Sequence, residues 1–343
     1  MLRLPSRRVR RRVALGLVAL LAAWWWVATR LERRAIARQD PRPEAAAALP
    51  DRADRERLME VVRYLADPAL EGRRTGSAGG RRARAFVLER FRELGLEPFA
   101  GSFEHPFSFV HHSIRGLVSP RRPFRTVYEG AANVLGTLPG TAAGLPAFVV
   151  SAHYDHLGVR GGRVYPGADD NASGVAVLLA AAEVLARHPP RHPTIFAAFD
   201  AEEQGTRGSE RFVAALGDAR ARVAIAVNFD MLSRNDRNEI FAAGAWRTPW
   251  LAALLDEVQA RSAVRLLRGH DKPLWRAGGV EDWTGSSDHG PFAEAGVPYL
   301  YLGVEDHADY HRPTDTPDRI DPEFLDRVAE TAIELLLTLD ARL

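Results

Sequence analysis

Three short apolar runs constrain the fold of this chain more than any other feature. They are 146–152 (PAFVVSA), 194–199 (TIFAAF) and 223–229 (VAIAVNF). Each is too short for a helix, and none alternates polar with apolar residues. Such runs read as strands buried on both faces, which belong to sheets covered by helices on each side. Helical spacing fills the intervals. Apolar residues recur at Leu58, Val61, Val62 and Leu65, and again at Phe86, Val87, Phe91 and Leu94. Ser77 is the expected N-cap of the second helix, and Gly95 its stop. Further helices are expected over 175–185, 207–216, 250–261 and 322–339. Strands are expected over 132–138, 239–243 and 297–302, with a loose hairpin over 99–118. The pattern predicts a three-layer α/β/α sandwich around a mixed, largely parallel sheet. No repeat interrupts residues 51–343, which read as one domain.

The N-terminus differs in kind. The first 34 residues hold nine arginines against one acid, Glu32, a charge of +8; the overall +2 leaves −6 for the rest. The basic character is therefore local and gives no argument for nucleic acid as a partner. Residues 7–12 are a basic block, 13–29 carry no charge and include Trp24, Trp25 and Trp26, and Arg30, Arg33 and Arg34 follow. This predicts a cytoplasmic flank (1–12), a transmembrane or signal-anchor helix (13–29) and a linker (30–50). The domain would then lie outside the cytoplasm, periplasmic or extracellular on a single-pass inner-membrane anchor, or secreted if the segment is cleaved. The absence of cysteine excludes disulfides and a thiolate metal site. Nothing in the sequence specifies an oligomeric state.

Polar residues recur where apolar strands end. His153 follows FVVSA, Asp170 lies in the next loop, Glu202 and Glu203 follow TIFAAFD, Asp230 follows AIAVNF, and His311 lies in a late loop. In a parallel sheet such strand ends share one edge, so these residues converge. Two histidines and three carboxylates suit a divalent metal, Zn²⁺ best. One catalytic zinc needs only three protein ligands. Five ligands with one bridging carboxylate fit a pair of metals about 3.5–4 Å apart. The neighbours Glu202 and Glu203 point in different directions, so one can ligate while the other takes a proton.

Six motifs occur in order: HYD (153–155), GADDNASG (167–174), FDAEEQGTRGSERF (199–212), NFDM (228–231), SDHGPF (287–292) and YHRPTDTPD (310–318). With YLADPALEGRRTGSAGG (64–80), they resemble an M28-type zinc metallopeptidase, the di-zinc aminopeptidase family. The resemblance runs from residue 54 to about 340. It implies one zinc on His153 and Asp230, a second on Glu203 and His311, and Asp170 bridging them. It further implies Glu202 as general base, Asp155 orienting His153 through its other ring nitrogen, and Tyr310 stabilising the oxyanion. The Asp170–Asn171 peptide matches a position often cis in the family, and Asn171 stands where many members have a second Asp.

The implied activity is removal of N-terminal residues from a peptide substrate. Carboxypeptidase or glutaminyl cyclase chemistry would fit the same fold; the former needs a cation, and Arg207, Arg234, Arg276 and Arg312 are available. A different class, an inactive membrane-anchored binding protein, would show lost ligands, and none is lost. His156 is expected near the site without ligating, and Asp169 as a loop hydrogen-bonder. Asp288 and His289 would line the pocket or cap a helix. Trp275 and Trp283 would form a substrate wall or pack. His105, His111, His112, His188, His192, His270 and His307 read as structural.

Overall fold

The computed structural model describes residues 7–39, 51–112, 124–273 and 280–343. Three helices come first: α1 (Arg7–Ala37), α2 (Arg55–Leu65) and α3 (Ala78–Glu93). Asp54 caps α2 by accepting the N–H groups of Glu56 and Arg57, and Ser77 caps α3 through Gly80. Then follow β1 (Glu97–Pro98), β2 (Glu104–His112), β3 (Arg125–Leu138), β4 (Ala147–His153), β5 (Gly158–Arg160), β6 (Arg163–Tyr165) and α4 (Gly174–Arg187). The second half contains β7 (Thr194–Phe199), α5 (Arg207–Leu216), β8 (Val223–Phe229), β9 (Glu239–Ala243), α6 (Leu251–Gln259), β10 (Arg265–Arg268), α7 (Gly290–Glu294), β11 (Tyr299–Gly303) and α8 (Pro322–Arg342).

The main sheet has the order β1-β3-β7-β4-β8-β11-β9-β10, with β2 beside β3. Its centre, β7-β4-β8-β11, is parallel. Helices α4 and α5 supply the crossovers that parallel neighbours need. Outside the centre the expectation of a largely parallel sheet is corrected. β3 pairs antiparallel with β1, β2 and β7, and β9 runs antiparallel to β11. The burial of β2 alternates along its length, as one-sided antiparallel strands do.

Successive residues of the central strands feed opposite layers. Phe148, Val150 and Ala152 of β4 join a large core with α2, α3, α4, α6 and α8. Val149 joins a smaller core with Phe212 of α5 and Phe292 of α7. Burial on both faces explains why these strands carry no polar alternation; the internal Ser151 and Asn228 bond each other, and the ionisable groups come at the strand ends.

The N-terminal expectation is revised. Helix α1 is continuous over 31 residues and takes in the basic block, the uncharged run and the start of the expected linker. Among the described residues no helix is long and apolar enough to cross a membrane, so a spanning anchor is not supported. The uncharged residues 13–29 would reach about 25 Å as a helix, against about 30 Å of hydrocarbon. The end of α1 instead clasps the domain. Lys272 Nζ donates to Glu32 at 2.7 and 2.9 Å. Ile36 packs on Phe241, Leu267 and Trp283. The Gln39 amide bonds both backbone groups of Arg268 in β10, at 2.6 and 2.8 Å. Residues 40–50 of the expected linker and 113–118 of the expected hairpin lie outside the described residues.

Candidate metal centre

The parallel register sets the site. His153 pairs with Phe199 across β4 and β7, and Ser151 with Asn228 across β4 and β8. The chain therefore leaves all three strands on one edge, delivering His153, then Glu202 and Glu203 after a left-handed turn at Ala201 (φ 62°), and Asp230. His311 arrives from the loop after β11 and also has positive φ, 54°. Asp170 lies in the loop 168–173 before α4, its own backbone non-helical (φ −103°, ψ 93°), and its peptide bond to Asn171 is cis.

Asp170 stands between two clusters. Its Oδ1 is 3.4 Å from His153 Nε2, which is 3.3 Å from Asp230 Oδ1. Its Oδ2 is 3.1 Å from His311 Nε2, which is 3.5 Å from Glu203 Oε2. The five residues read as ligands from the sequence are thus brought together, with Asp170 in the middle. His156 is also there. Its Nδ1 lies 2.7 Å from Glu203 Oε1 and 3.6 Å from Asp170 Oδ2. Donor atoms of His153, Asp170 and Asp230, and likewise of His156, Asp170 and Glu203, lie within 4.8 Å of one another.

Contacts distant in sequence hold these groups. Asp155 Oδ1 accepts the N–H of Glu202 at 3.0 Å and lies 3.6 Å from His153 Nδ1, which is also 3.2 Å from the Asp155 carbonyl. Asp315 accepts the N–H groups of Asp169 and Asp170 at 3.0 and 3.2 Å. Asn171 donates to Phe229 O at 2.9 Å and accepts from Gly174 and Met231. Arg73 is fully buried and donates to the carbonyls of Leu65, Tyr154, Pro166 and Gly167, tying the two site loops to α2. Arg73 and Asp315 had no assigned role in the sequence reading. Both lie inside the quoted motifs 64–80 and 310–318, which is the one signal that pointed to them.

Burial dominates the electrostatics. It raises the Glu202 carboxyl well above the usual range, and Asp230, Asp288 and Glu203 add to the rise against His153. Glu203 moves the other way: burial opposes ionisation, but His156 and His311 hold it well below the ordinary value. For His311, burial opposes the charge, yet its bonds to Asp170 and Glu203 lift it to about 10. Adjacent glutamates are thus driven apart, one toward holding a proton and one toward charge. Burial and the surrounding acids raise the Tyr310 phenol, so it keeps its proton at neutral pH.

A cavity of about 330 Å³ opens onto the cluster. Six carboxylates line it: Asp170, Glu202, Glu203, Asp230, Glu281 and Asp306. Its described lining holds no Lys or Arg. Tyr310, stacked on His311 with centroids 3.9 Å apart, and Trp283, stacked on His270, form its aromatic wall. Trp283 therefore both packs and lines the cavity; Trp275 lies outside the described residues. Asp288 is buried behind the site, accepting from Ser209 at 2.6 Å, and His289 bonds the Trp283 carbonyl. Asp169 is the expected loop hydrogen-bonder, joined to Ser173, Ser233 and His307. His105, His111, His192 and His270 face backbone carbonyls, consistent with structural roles.

The donor set fits zinc. Imidazole nitrogens and carboxylate oxygens are its usual partners. His156 Nε2 is buried with no partner, and His156 Nδ1 and Glu203 Oε1 have only each other at 2.7 Å, an arrangement that leaves buried donor capacity for a cation.

The family model of peptidase family M28 matches residues 133–336, more than half of the chain, and the chain belongs to that family. Among curated proteins it is similar to the aminopeptidase YwaD of Bacillus subtilis, 30% identical over 199 residues, covering 53% of this chain and 38% of that protein. The chain spans less than half the length of such relatives. In fold it resembles a zinc aminopeptidase from Bacillus subtilis (TM-score 0.61, 18% identity, covering 84% of this chain and 95% of the other). It equally resembles a Fimbriiglobus ruber glutaminyl cyclase (TM-score 0.63, 22% identity, 87% and 99%).

Proposed function

We propose that this chain is a di-zinc aminopeptidase. One zinc is assigned to His153 and Asp230, the other to Glu203 and His311, with Asp170 between them. Zinc bound there would acidify a water and polarise the scissile carbonyl. Glu202 is assigned the proton transfers: it takes the proton of the attacking water and returns it to the leaving amine. Its burial beside other acids raises its proton affinity, as a base that must hold a proton midway requires. Tyr310, protonated at the cavity wall, is assigned to the carbonyl oxygen as negative charge develops.

The observation that carries this reading is the lining of the cavity. Beyond the assigned donors and Glu202, the lining adds two further carboxylates, Glu281 and Asp306, and no described Lys or Arg, which suits a substrate that enters with a free ammonium. The carboxypeptidase alternative lacks support in the described residues. Arg207 is paired with Glu210 and Arg234 with Asp309, and neither they nor Arg312 lines the cavity; Arg276 lies outside the described residues. The likeness to a cyclase is one of fold, and two donor clusters exceed the one metal such chemistry typically uses. A complete donor set weighs against an inactive binding protein.

Hydrolysis of aminoacyl-p-nitroanilides and N-blocked peptides, with and without chelator, is the test. Chelator-sensitive cleavage of free-amine substrates alone is expected. Cleavage of only the N-blocked series would overturn the assignment.

Attachment to a membrane, with the domain outside the cytoplasm, belongs to the same proposal. Trp24, Trp25 and Trp26 are exposed on α1 between arginine blocks. Protease treatment of spheroplasts is the check, and a protected domain would sink this topology.

A further inference from the structure

His156 differs from every other buried histidine among the described residues. His153, His192, His270 and His289 each have a ring nitrogen bonded to a backbone carbonyl. His156 is fully buried and meets no backbone carbonyl: its Nδ1 faces only the carboxylates of Glu203 and Asp170, and its Nε2 has no partner. Its Nδ1 lies 2.7 Å from Glu203 Oε1, an approach of ion-pair length. Enclosing an imidazole this way costs free energy unless another partner uses it.

The surroundings seat this ring deliberately. A Cβ at Gly167 would stand 2.6 Å from His156 Cγ and Cδ2, so only glycine fits the loop beneath it. The seated Nδ1 faces the same two carboxylates as His311, one imidazole from inside and one from the solvent side. Around a tetrahedral zinc with bonds of roughly 2.0–2.1 Å, neighbouring donor atoms lie about 3.3 Å apart. Here Asp170 Oδ2 is 3.6 Å from His156 Nδ1 and 3.1 Å from His311 Nε2, and Glu203 Oε2 is 3.5 Å from His311 Nε2.

We propose that His156 is a protein donor to the metal assigned to Glu203 and His311. It rests on the metal-centre reading above and changes its balance. One half of the centre then has four protein donors, His156, Asp170, Glu203 and His311. The other has three, His153, Asp170 and Asp230. A four-donor zinc site is closed, whereas a three-donor site keeps a position for water. The half on His153, Asp170 and Asp230 would then be the one with a position left for water. The other half serves chiefly to hold Asp170 and to offset charge.

The test counts histidines on the metal without using activity. Full-length protein carrying ¹⁵N-histidine is loaded with ¹¹³Cd, and the imidazoles with ¹¹³Cd–¹⁵N coupling are counted. Three coupled rings are expected, one of them through Nδ1 of His156. His156→Gln should remove that ring and leave two, while His311→Gln should leave the His156 coupling in place. Two coupled rings in the unaltered protein, His153 and His311, would overturn the proposal while leaving the di-zinc reading intact. Weaker cadmium binding in His156→Gln with no coupling to His156 in the parent means a positioning role, and also overturns it. A protein that takes up no cadmium overturns both readings.

Discussion

Asp155 Oδ1 accepts the backbone N–H of Glu202 at 3.0 Å and lies 3.6 Å from His153 Nδ1, while Oδ2 accepts from Thr75 at 3.3 Å. One buried carboxylate thus sets the position of the proposed base and of a proposed ligand together. Asp155→Asn keeps an oxygen for the Glu202 amide but removes the charge facing the imidazole. Zinc affinity should fall about 10–100-fold, and kcat with it. Chelator competition and steady-state kinetics check this. Unchanged affinity would leave Asp155 with only a backbone role.

Glu202→Gln removes the proton acceptor and keeps its shape. A fall in kcat of about 10²–10⁴-fold is expected, with KM nearly unchanged and two zincs retained. Metal analysis decides between the adjacent glutamates. If Glu202→Gln loses zinc and Glu203→Gln keeps it, the two roles are reversed.

Asp288 makes stability depend on pH. Burial raises its carboxyl from 3.8 to about 7, and one of its oxygens has no partner. Because the folded protein holds this proton more tightly than the unfolded chain, the group favours folding at low pH. That contribution is lost as pH rises from about 4 through about 7. In metal-free protein, Asp288→Asn should therefore gain Tm relative to the parent by several degrees more at pH 8 than at pH 5. Equal differences at both values would show that Asp288 does not ionise in this window.

Arg73 donates to five carbonyls, Asp170 O included, from a fully buried position, and burial lowers its guanidinium to about 10, still charged at neutral pH. Arg73→Met takes a donor from each of those oxygens, at about 1–3 kcal/mol for each left unpaired; Gly167 O keeps the Ala172 N–H. A loss of at least about 3 kcal/mol in denaturant unfolding is expected. Arg73→Lys should recover little of it, since one ammonium cannot span the fork. Full recovery by lysine would mean that charge, not geometry, holds the loops.

The central strands, and the convergence of candidate donors at their ends, were legible for one reason. Residues 147–152, Thr194–Phe199 and Val223–Phe229 are apolar runs buried on both faces, so composition alone marks their limits and exposes the polar residue that follows. What sequence did not show depends on contacts between distant segments. Nothing local marks Arg73 among its neighbouring arginines, because its acceptors lie as far as Gly167. Asp315 reaches back to Asp169 across 146 positions. His156 looked like one more polar residue after a strand, because its enclosure is made by Gly167 in another loop. The uncharged run in α1 was readable, but the grip of Glu32 and Gln39 on the domain was not.

That grip bears on how the protein can be handled. Gln39 occupies both the N–H and the C=O of Arg268 on β10, the last strand of the sheet. A shortened version beginning at residue 51 would leave that strand's outer margin bare and ready to pair with a second copy. Such a version should be the less soluble one, even though it has lost the three exposed tryptophans of the helix.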